Sequence, residues 1–168
     1  MIERTPEGVY CRAADAWVDP WRPVPRALIT HAHADHARPG CGEYWAVASS
    51  EGVLRQRLGQ DISLHPVQYG VEHWLGQCRV SFHSAGHVLG SAQIRLEVDV
   101  EVWVVSGDYK RDADPSCDPF EPVPCDVLIT EATFGLPIYR WQTGAEVANE
   151  IRTWWQGDRQ RPSLLFCY

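Results

Sequence analysis

The chain has 168 residues, which is enough for one domain with a hydrophobic core and too few for two full domains. A composition of 45% hydrophobic and 22% charged residues is typical of a globular protein, and no apolar run approaches the roughly 20 residues that span a bilayer. The amino terminus carries no apolar segment typical of a secretion signal, so we expect a cytoplasmic protein that does not associate with membranes.

Short strand-like runs, separated by turn residues, dominate the first two thirds of the chain. The predicted strands are 16–18, 26–30, 43–48, 62–69, 78–83, 93–98, 101–105, a buried strand 127–129, and 163–168. The spacing of the strands on either side of Asp99 and Val100 predicts a hairpin.

Two segments are predicted to be helical. Ser49 and Ser50 offer an N-cap for a helix over 50–59, which Gly59 would end, and residues 144–156 have apolar side chains at helical spacing. Strands with helices between them predict an α/β layered domain. Because a carboxy terminus seldom falls inside an apolar strand, we expect residues 1–168 to be the amino-terminal part of a longer protein.

The stretch LITHAHADHARPG, residues 28–40, places three of the seven histidines within six positions, directly after a predicted strand. Residues i and i+2 point the same way in an extended chain, so His31 and His33 can converge on one ion. Asp35 and His36 follow the bend and can face a second ion. Imidazole and carboxylate groups suit Zn²⁺ well, and they also bind Mn²⁺ or Fe, so this stretch predicts a metal site.

Two later loops can complete such a site. His87, between the glycines of SAGHVLGS, supplies a third ligand for the first ion, since catalytic zinc commonly has three protein ligands. Asp108 in VVSGDY follows a strand and a glycine, and the two oxygens of a carboxylate can bind one ion each. The histidines at 65, 73 and 83 are interpreted as ordinary loop or strand residues.

Four motifs then carry a family resemblance. HAHADH (31–36), GHVLG (86–90) and SGDYKR (106–111) resemble the metallo-β-lactamase superfamily, and CDVLITEATFG (125–135) resembles its β-CASP branch of nucleic-acid-processing enzymes. Residues 18–40 and 161–168 are similar to bacterial DNA-ligase-associated exonucleases, themselves similar to messenger-RNA 3′-end processing nucleases. The resemblance implies an αββα sandwich, present here as its amino-terminal portion over 1–168, with the β-CASP cap absent.

The resemblance also implies roles for individual residues. One zinc would be bound by His31, His33 and His87, the other by Asp35 and His36, with Asp108 as the bridge. Asp19 would orient ligands through hydrogen bonds, and Glu131 would hydrogen-bond a catalytic histidine. The candidate catalytic residues are Asp35, Asp108 and Glu131. Two histidines that the family draws from beyond the cap have no counterpart here, so the second zinc site lacks a ligand.

The function implied is that of a two-zinc phosphodiesterase, a DNA exonuclease of the ligase-associated repair type that uses a metal-bridging hydroxide. Nucleic acid would be the partner, with DNA favoured over RNA, in functional association with an ATP-dependent DNA ligase. The net charge of −7 is unusual for such a protein, although two divalent cations would offset part of it locally.

Three alternatives remain open from the sequence. One is an RNA 3′-end processing nuclease, since no motif distinguishes the sugars. Another is a small-molecule hydrolase that cleaves a thioester or a lactam, which the segment ITEATFG disfavours. The last is an inactive metal-binding fragment whose carboxy-terminal half is missing, which the apolar terminus favours.

Overall fold

The computed structural model describes residues 1–157 and 159–165, and the chain divides into two compact units, Met1–Glu131 and Ala132–Tyr168. In chain order the described strands are β1 (Ile2–Thr5), β2 (Gly8–Cys11), β3 (Ala16–Val18), β4 (Arg26–Leu28), β5 (Glu43–Val47), β6 (Leu64–Val67), β7 (His73–Leu75), β8 (Cys78–Ser84), β9 (Ala92–Val98), β10 (Glu101–Val105) and β11 (Val127–Ile129). The helices are α1 (Glu51–Leu58), preceded by a 3-10 turn at Ala48–Ser50, and α2 (Gly144–Gly157) in the second unit.

The strands of the first unit form two mixed sheets. The first sheet runs β1-β2-β3-β4-β5-β6, antiparallel as far as β3 and parallel from β3 to β6. The second runs β11-β10-β9-β8-β7, antiparallel except for the parallel pair β10 and β11. The predicted α/β class is therefore confirmed as two mixed sheets with few helices, an arrangement compatible with a sandwich.

The two sheets share a hydrophobic core. Val18 and Leu28 from the first sheet lie in one buried cluster with Phe82, Ile94 and Leu96 from the second. Burying each of these large side chains contributes roughly 1.5–3 kcal/mol. The sheets therefore pack face to face, and strand ends from both meet at one edge of the unit.

The other face of the first sheet is covered by α1. Tyr44 and Ala46 of β5 lie in a second buried cluster with Leu54 of α1. Ser50 occupies the N-cap position, but its hydroxyl donates to the carbonyl of Val47, 2.7 Å away, because a 3-10 turn precedes the helix. Gly59 ends the helix at a φ of 121°, as the sequence predicted.

Several predicted elements differ from the structure. The hairpin of β9 and β10 is confirmed, with Val98 opposite Glu101. The expected burial of 127–129 is wrong, because β11 is the edge strand of its sheet and leaves Leu128 53% exposed. Of the predicted strand 163–168, residues 163–165 are irregular and the remainder lies outside the described residues.

Among the residues that the structure describes, none of the helices combines the length and the apolar character required to cross a bilayer.

A charged cluster connects three parallel strands of the first sheet. Glu43 of β5 lies directly opposite Arg26 of β4, accepts a hydrogen bond from its guanidinium, and also lies 3.0 Å from the ring of His65 in β6. Burial alone would raise the pKa of Glu43, but its hydrogen bond and ion pair with Arg26 outweigh burial and lower it. Ionised Glu43 therefore stabilises the folded chain.

We predict that Glu43→Gln lowers the free energy of unfolding by about 1 kcal/mol at neutral pH, since it removes a partly buried ion pair. A carboxyl with a lowered folded-state pKa contributes stability above its unfolded value, about 4.3, and loses it as the pH falls through the folded value. Urea denaturation at neutral and acid pH should therefore show a difference that shrinks in acid. Glu51→Gln, which breaks a similarly half-buried pair with Arg55 four residues along α1, is the control and should cost about 0.5 kcal/mol or less, the usual contribution of a helical pair at this spacing. A pH-independent loss at Glu43 would contradict this account.

Candidate metal centre

The predicted ligands lie in loops at the edge where the two sheets meet. The loop after β4 carries His31 and His33, the β8–β9 loop carries His87, and the segment after β10 carries Asp108. The amide of Ala92 donates to the carbonyl of Thr30 over 2.7 Å, which joins the start of β9 in one sheet to the end of β4 in the other. This backbone hydrogen bond connects the two sheets next to the loops that carry the predicted ligands.

The segment after His33 forms a single turn rather than the start of a helix. The amides of His36 and Ala37 both donate to the carbonyl of His33, over 3.2 and 2.8 Å, and the chain then continues irregularly to residue 42. The turn places the side chain of His36 beside the strand end and leaves Asp35 exposed. It is the bend that the spacing of HAHADH predicted.

The first group consists of His31, His33, His87 and Asp108, whose donor atoms all lie within 4.8 Å of one another. Nδ1 of His33 is 3.0 Å from Nε2 of His31 and 3.4 Å from Nε2 of His87. Oδ2 of Asp108 is 3.8 and 3.7 Å from the same two Nε2 atoms. Ligand atoms around a tetrahedral zinc lie about 3.4 Å apart, given bonds of about 2.0–2.1 Å. This group could therefore hold one such ion.

A second group lies on the other side of Asp108. Nε2 of His36 is 3.4 Å from Oδ1 of Asp108 and 3.6 Å from Oδ2 of Asp35. The two carboxylate oxygens of Asp108 thus face different sets of nitrogen and oxygen atoms. His36 nevertheless packs against His31, with ring centroids 4.1 Å apart, so the two groups adjoin each other. The assignment of Asp35 and His36 to a second ion stays a prediction.

Asp19 lies behind both groups and contacts the protein rather than the open face. It follows β3 with a φ of 44°, and its Oδ2 lies 2.7 Å from Nδ1 of His36. Its Oδ1 accepts from the amide of Thr30 over 2.8 Å, and Oδ2 accepts from the Thr30 hydroxyl over 2.5 Å. In the neutral ring, when Nδ1 of His36 donates to Asp19, Nε2 is left unprotonated and faces Asp108.

Burial lowers the pKa of two histidines of the first group, His31 and His87. It lowers the pKa of His31 to about 2, and repulsion from His36, His33 and His87 acts in the same direction. Burial also lowers the pKa of His87, an effect that Asp108 opposes. His36 differs, because burial lowers its pKa but the hydrogen bond to Asp19 and the nearby carboxylates outweigh burial and raise it. Neutral imidazole is the form that binds metals.

Close backbone packing requires glycine before two of these residues. A Cβ at Gly86, whose φ is 68°, would lie 2.3 Å from the carbonyl oxygen of Lys110. A Cβ at Gly107, whose φ is 56°, would lie 2.6 Å from Cβ and Oγ1 of Thr30. The loops that carry His87 and Asp108 are therefore in direct contact with their neighbours, which holds the two side chains in place.

Glu131 lies two residues after β11 and is half-buried. Its negative charge acts on His87, where it raises the pKa and partly opposes burial. Of the histidines outside the cluster, His65 contacts Glu43, and His83 lies 3.0 Å from both Ser81 and Glu121. Nε2 of His73 is buried with no hydrogen-bond partner among the described residues, and its ring lies 5.5 Å from that of Trp45. Their interpretation as ordinary residues stays a prediction.

Sequence reasoning missed two residues beside the cluster. Thr30, only 1% exposed, contacts Asp19 and His31 and packs against Gly107. Arg57 of α1, itself exposed, donates from Nη1 to the carbonyl of Ala32, between the first two histidines. The sequence signal for Thr30 is its hydroxyl, which comes immediately before the first histidine. Arg57 is distant in sequence from the cluster, and no motif marks it.

We predict that Gly107→Ala lowers the free energy of unfolding by about 1–3 kcal/mol, because alanine is strained at this φ and its methyl group overlaps Thr30. Gly52→Ala is the matched control: Gly52 lies in α1 with open space around it, so the same change should stabilise the chain by about 0.5–1 kcal/mol. Urea denaturation measures both. Equal effects at the two positions would show that Gly107 is not under the constraint described here.

Comparison with known proteins adds an independent observation. The chain is 32% identical over 148 residues to a probable DNA ligase of Opitutus terrae, an alignment that covers 87% of the chain and 14% of that protein. It is 31% identical over 139 residues to ribonuclease TTHA0252 of Thermus thermophilus, covering 67% of the chain and 32% of the ribonuclease. No protein-family model matches the chain.

A eukaryotic relative is similar over a shorter stretch. Endoribonuclease YSH1 of Gibberella zeae is 34% identical over 76 residues, or 44% of the chain and 9% of that protein. The chain therefore spans between 9% and 32% of the length of these three relatives.

Proposed function

We propose, from the chain's membership of the β-CASP branch of the metallo-β-lactamase superfamily, that it is the metal-binding part of a nuclease that hydrolyses phosphodiester bonds. In this proposal the two face-to-face sheets with α1 are the amino-terminal part of an αββα sandwich. In this proposal the whole enzyme also has a β-CASP cap.

One observation carries the proposal most directly, namely the position of the Asp108 carboxylate. Oδ2 faces Nε2 of His31 and of His87 at 3.8 and 3.7 Å, while Oδ1 faces Nε2 of His36 at 3.4 Å. A carboxylate shared in this way suits a pair of divalent cations. We assign one ion to His31, His33, His87 and Asp108, and the other to Asp35, His36 and Asp108.

The donor atoms fit zinc. The first group offers three imidazole nitrogens and one carboxylate oxygen at spacings close to those of a tetrahedral site. The second group is richer in carboxylate, and with three protein ligands it leaves room for a further ligand, so Mn²⁺ is the alternative there. A pair of ions bound in these positions would generate a nucleophile from water at neutral pH and neutralise charge on a phosphate.

The chain's own residues would supply orientation. Asp19 would hold Nδ1 of His36, so that Nε2 remains directed at the second ion. Asp35, with its side chain 74% exposed, would lie on the open face where a phosphate arrives. Glu131, whose charge acts on His87, would hold a histidine supplied from outside the chain.

For the substrate we favour DNA over RNA. The match to the protein named a probable DNA ligase covers 87% of the chain, whereas the matches to the two named ribonucleases cover 67% and 44%. On the basis of the same relative, we propose that the protein acts as an exonuclease in DNA repair, together with an ATP-dependent DNA ligase. RNA 3′-end processing is the second candidate, favoured by the names of the ribonuclease relatives.

The proposal is tested by incubating the purified chain, loaded with Zn²⁺ or Mn²⁺, with 3′-labelled single-stranded DNA and RNA of the same sequence. We expect cleavage of oligonucleotides, faster for DNA, and no hydrolysis of a thioester or a β-lactam beside them. Asp108→Asn should abolish cleavage, because it weakens both metal groups at once. Asp61→Asn, the same change at an exposed position outside the cluster, should leave cleavage intact.

Each other result has a defined meaning. Preference for RNA would favour the processing-nuclease candidate, and thioester or β-lactam hydrolysis without cleavage of nucleic acid would refute the nuclease. Bound metal with no cleavage of any substrate would contradict independent activity and favour a metal-binding fragment. Equal activity of Asp108→Asn and the unmodified chain would refute the assignment of Asp108.

A further inference from the structure

We propose that the Thr30 hydroxyl sets the tautomer of His31, so that one carboxylate, Asp19, orients histidines of both metal groups. Thr30 is a positioning residue in this account: it contacts His31 and Asp19, and it acts on the ion through His31. The inference rests on the proposed metal site. It concerns which ring nitrogen of His31 carries the proton, and it assumes no step of the reaction.

The hydrogen bonds leave one arrangement for the Thr30 proton. An ionised carboxylate only accepts hydrogen bonds, and a hydroxyl has a single proton to donate. Oγ1 of Thr30 lies 2.5 Å from Oδ2 of Asp19, so the hydroxyl proton goes to that oxygen. The Thr30 amide donates to Oδ1 of the same carboxylate over 2.8 Å, which fixes its orientation.

Once its proton is engaged, Oγ1 can only accept at its other contacts. The nearer one is Nδ1 of His31 at 3.1 Å, whereas Nδ1 of His36, 3.5 Å away, lies closer to Oδ2 of Asp19 at 2.7 Å. A neutral imidazole carries one N–H, so Nδ1 of His31 must donate and Nε2 must be bare. Bare Nε2 is the atom that lies 3.0 Å from Nδ1 of His33 and 3.8 Å from Oδ2 of Asp108, on the side of the first metal group.

The position of Thr30 is fixed from three directions. Its carbonyl accepts from the amide of Ala92 over 2.7 Å, and its side chain lies where a Cβ on Gly107 would have to be. The residue is 1% exposed, so water does not compete for its hydroxyl. A β-branched side chain held this way has little freedom at χ1.

His36 contacts Asp19 directly, whereas Thr30 lies between Asp19 and His31. Its Nδ1 reaches Oδ2 of Asp19 directly at 2.7 Å, and the same oxygen receives the Thr30 hydroxyl. Among the residues in ranges 1–157 and 159–165, Oγ1 of Thr30 is the atom that hydrogen-bonds Nδ1 of His31. Thr30 therefore extends the reach of one carboxylate to a second ring.

The test measures the tautomer itself. In the metal-free chain with ¹⁵N-labelled histidine, long-range ¹H–¹⁵N correlations distinguish a protonated from a bare ring nitrogen. We expect Nδ1–H for His31 in the unmodified chain and in Thr30→Ser, which keeps the hydroxyl. Thr30→Val, which keeps the shape and loses the hydroxyl, should move population to Nε2–H. Thr5→Val, a threonine whose hydroxyl contacts Gly8 and Trp17, is the control and should change nothing at His31.

Zinc affinity gives a second readout, measured by competition with a chromogenic chelator. Thr30→Val should bind the first equivalent about 10–100-fold more weakly, the usual effect of losing an outer hydrogen bond to a ligand histidine. Thr30→Ser should restore most of the affinity, and Thr5→Val should match the unmodified chain.

Two results would overturn the inference. One is Nε2–H for His31 in the unmodified chain, which needs no variant and is decisive even if Thr30→Val does not fold. The other is a Thr30→Val chain that retains Nδ1–H. Because neither measurement involves a substrate, a chain that cleaves no oligonucleotide but shows the expected tautomers would refute the nuclease proposal and leave this inference standing.

Discussion

The geometry of the site depends on the hydrogen bonds of the Asp19 carboxylate. It accepts hydrogen bonds from the amide and hydroxyl of Thr30 and lies 2.7 Å from Nδ1 of His36. A half-buried carboxylate is costly unless its oxygens are satisfied, and here its partners are the residues that must be oriented. The positive φ of Asp19 is the local cost of directing its side chain back toward the end of β4.

The rest of the fold brings the two strand ends to this carboxylate. Packing of Leu28 against Phe82 and Ile94 in one core holds the two sheets together, and the Ala92–Thr30 hydrogen bond joins their edges. Gly107 then allows the segment carrying Asp108 to pass close to Thr30. Apolar burial thus supplies the stability, and a few polar contacts at the edge supply the geometry.

Much of this arrangement could be predicted from the sequence, because local spacing determines it. The HAHADH motif contains its own bend, and the two-residue connection before β10 specifies a hairpin. The β1–β2 hairpin and β7 were not predicted, since their short runs lack clear alternation. The role of Thr30 depends on contacts with Asp19 and Gly107, which are distant in sequence and meet only in the folded chain. The ligand assignments themselves stay predictions.

Zinc-edge anomalous diffraction from crystals of the zinc-loaded chain tests the central claim most directly, since it locates ions without assuming any ligand. The account predicts two peaks about 3.5–4 Å apart on either side of Asp108, one beside His31, His33 and His87 and one beside Asp35 and His36. A single peak distant from Asp108, or zinc bound only elsewhere in the chain, would contradict it.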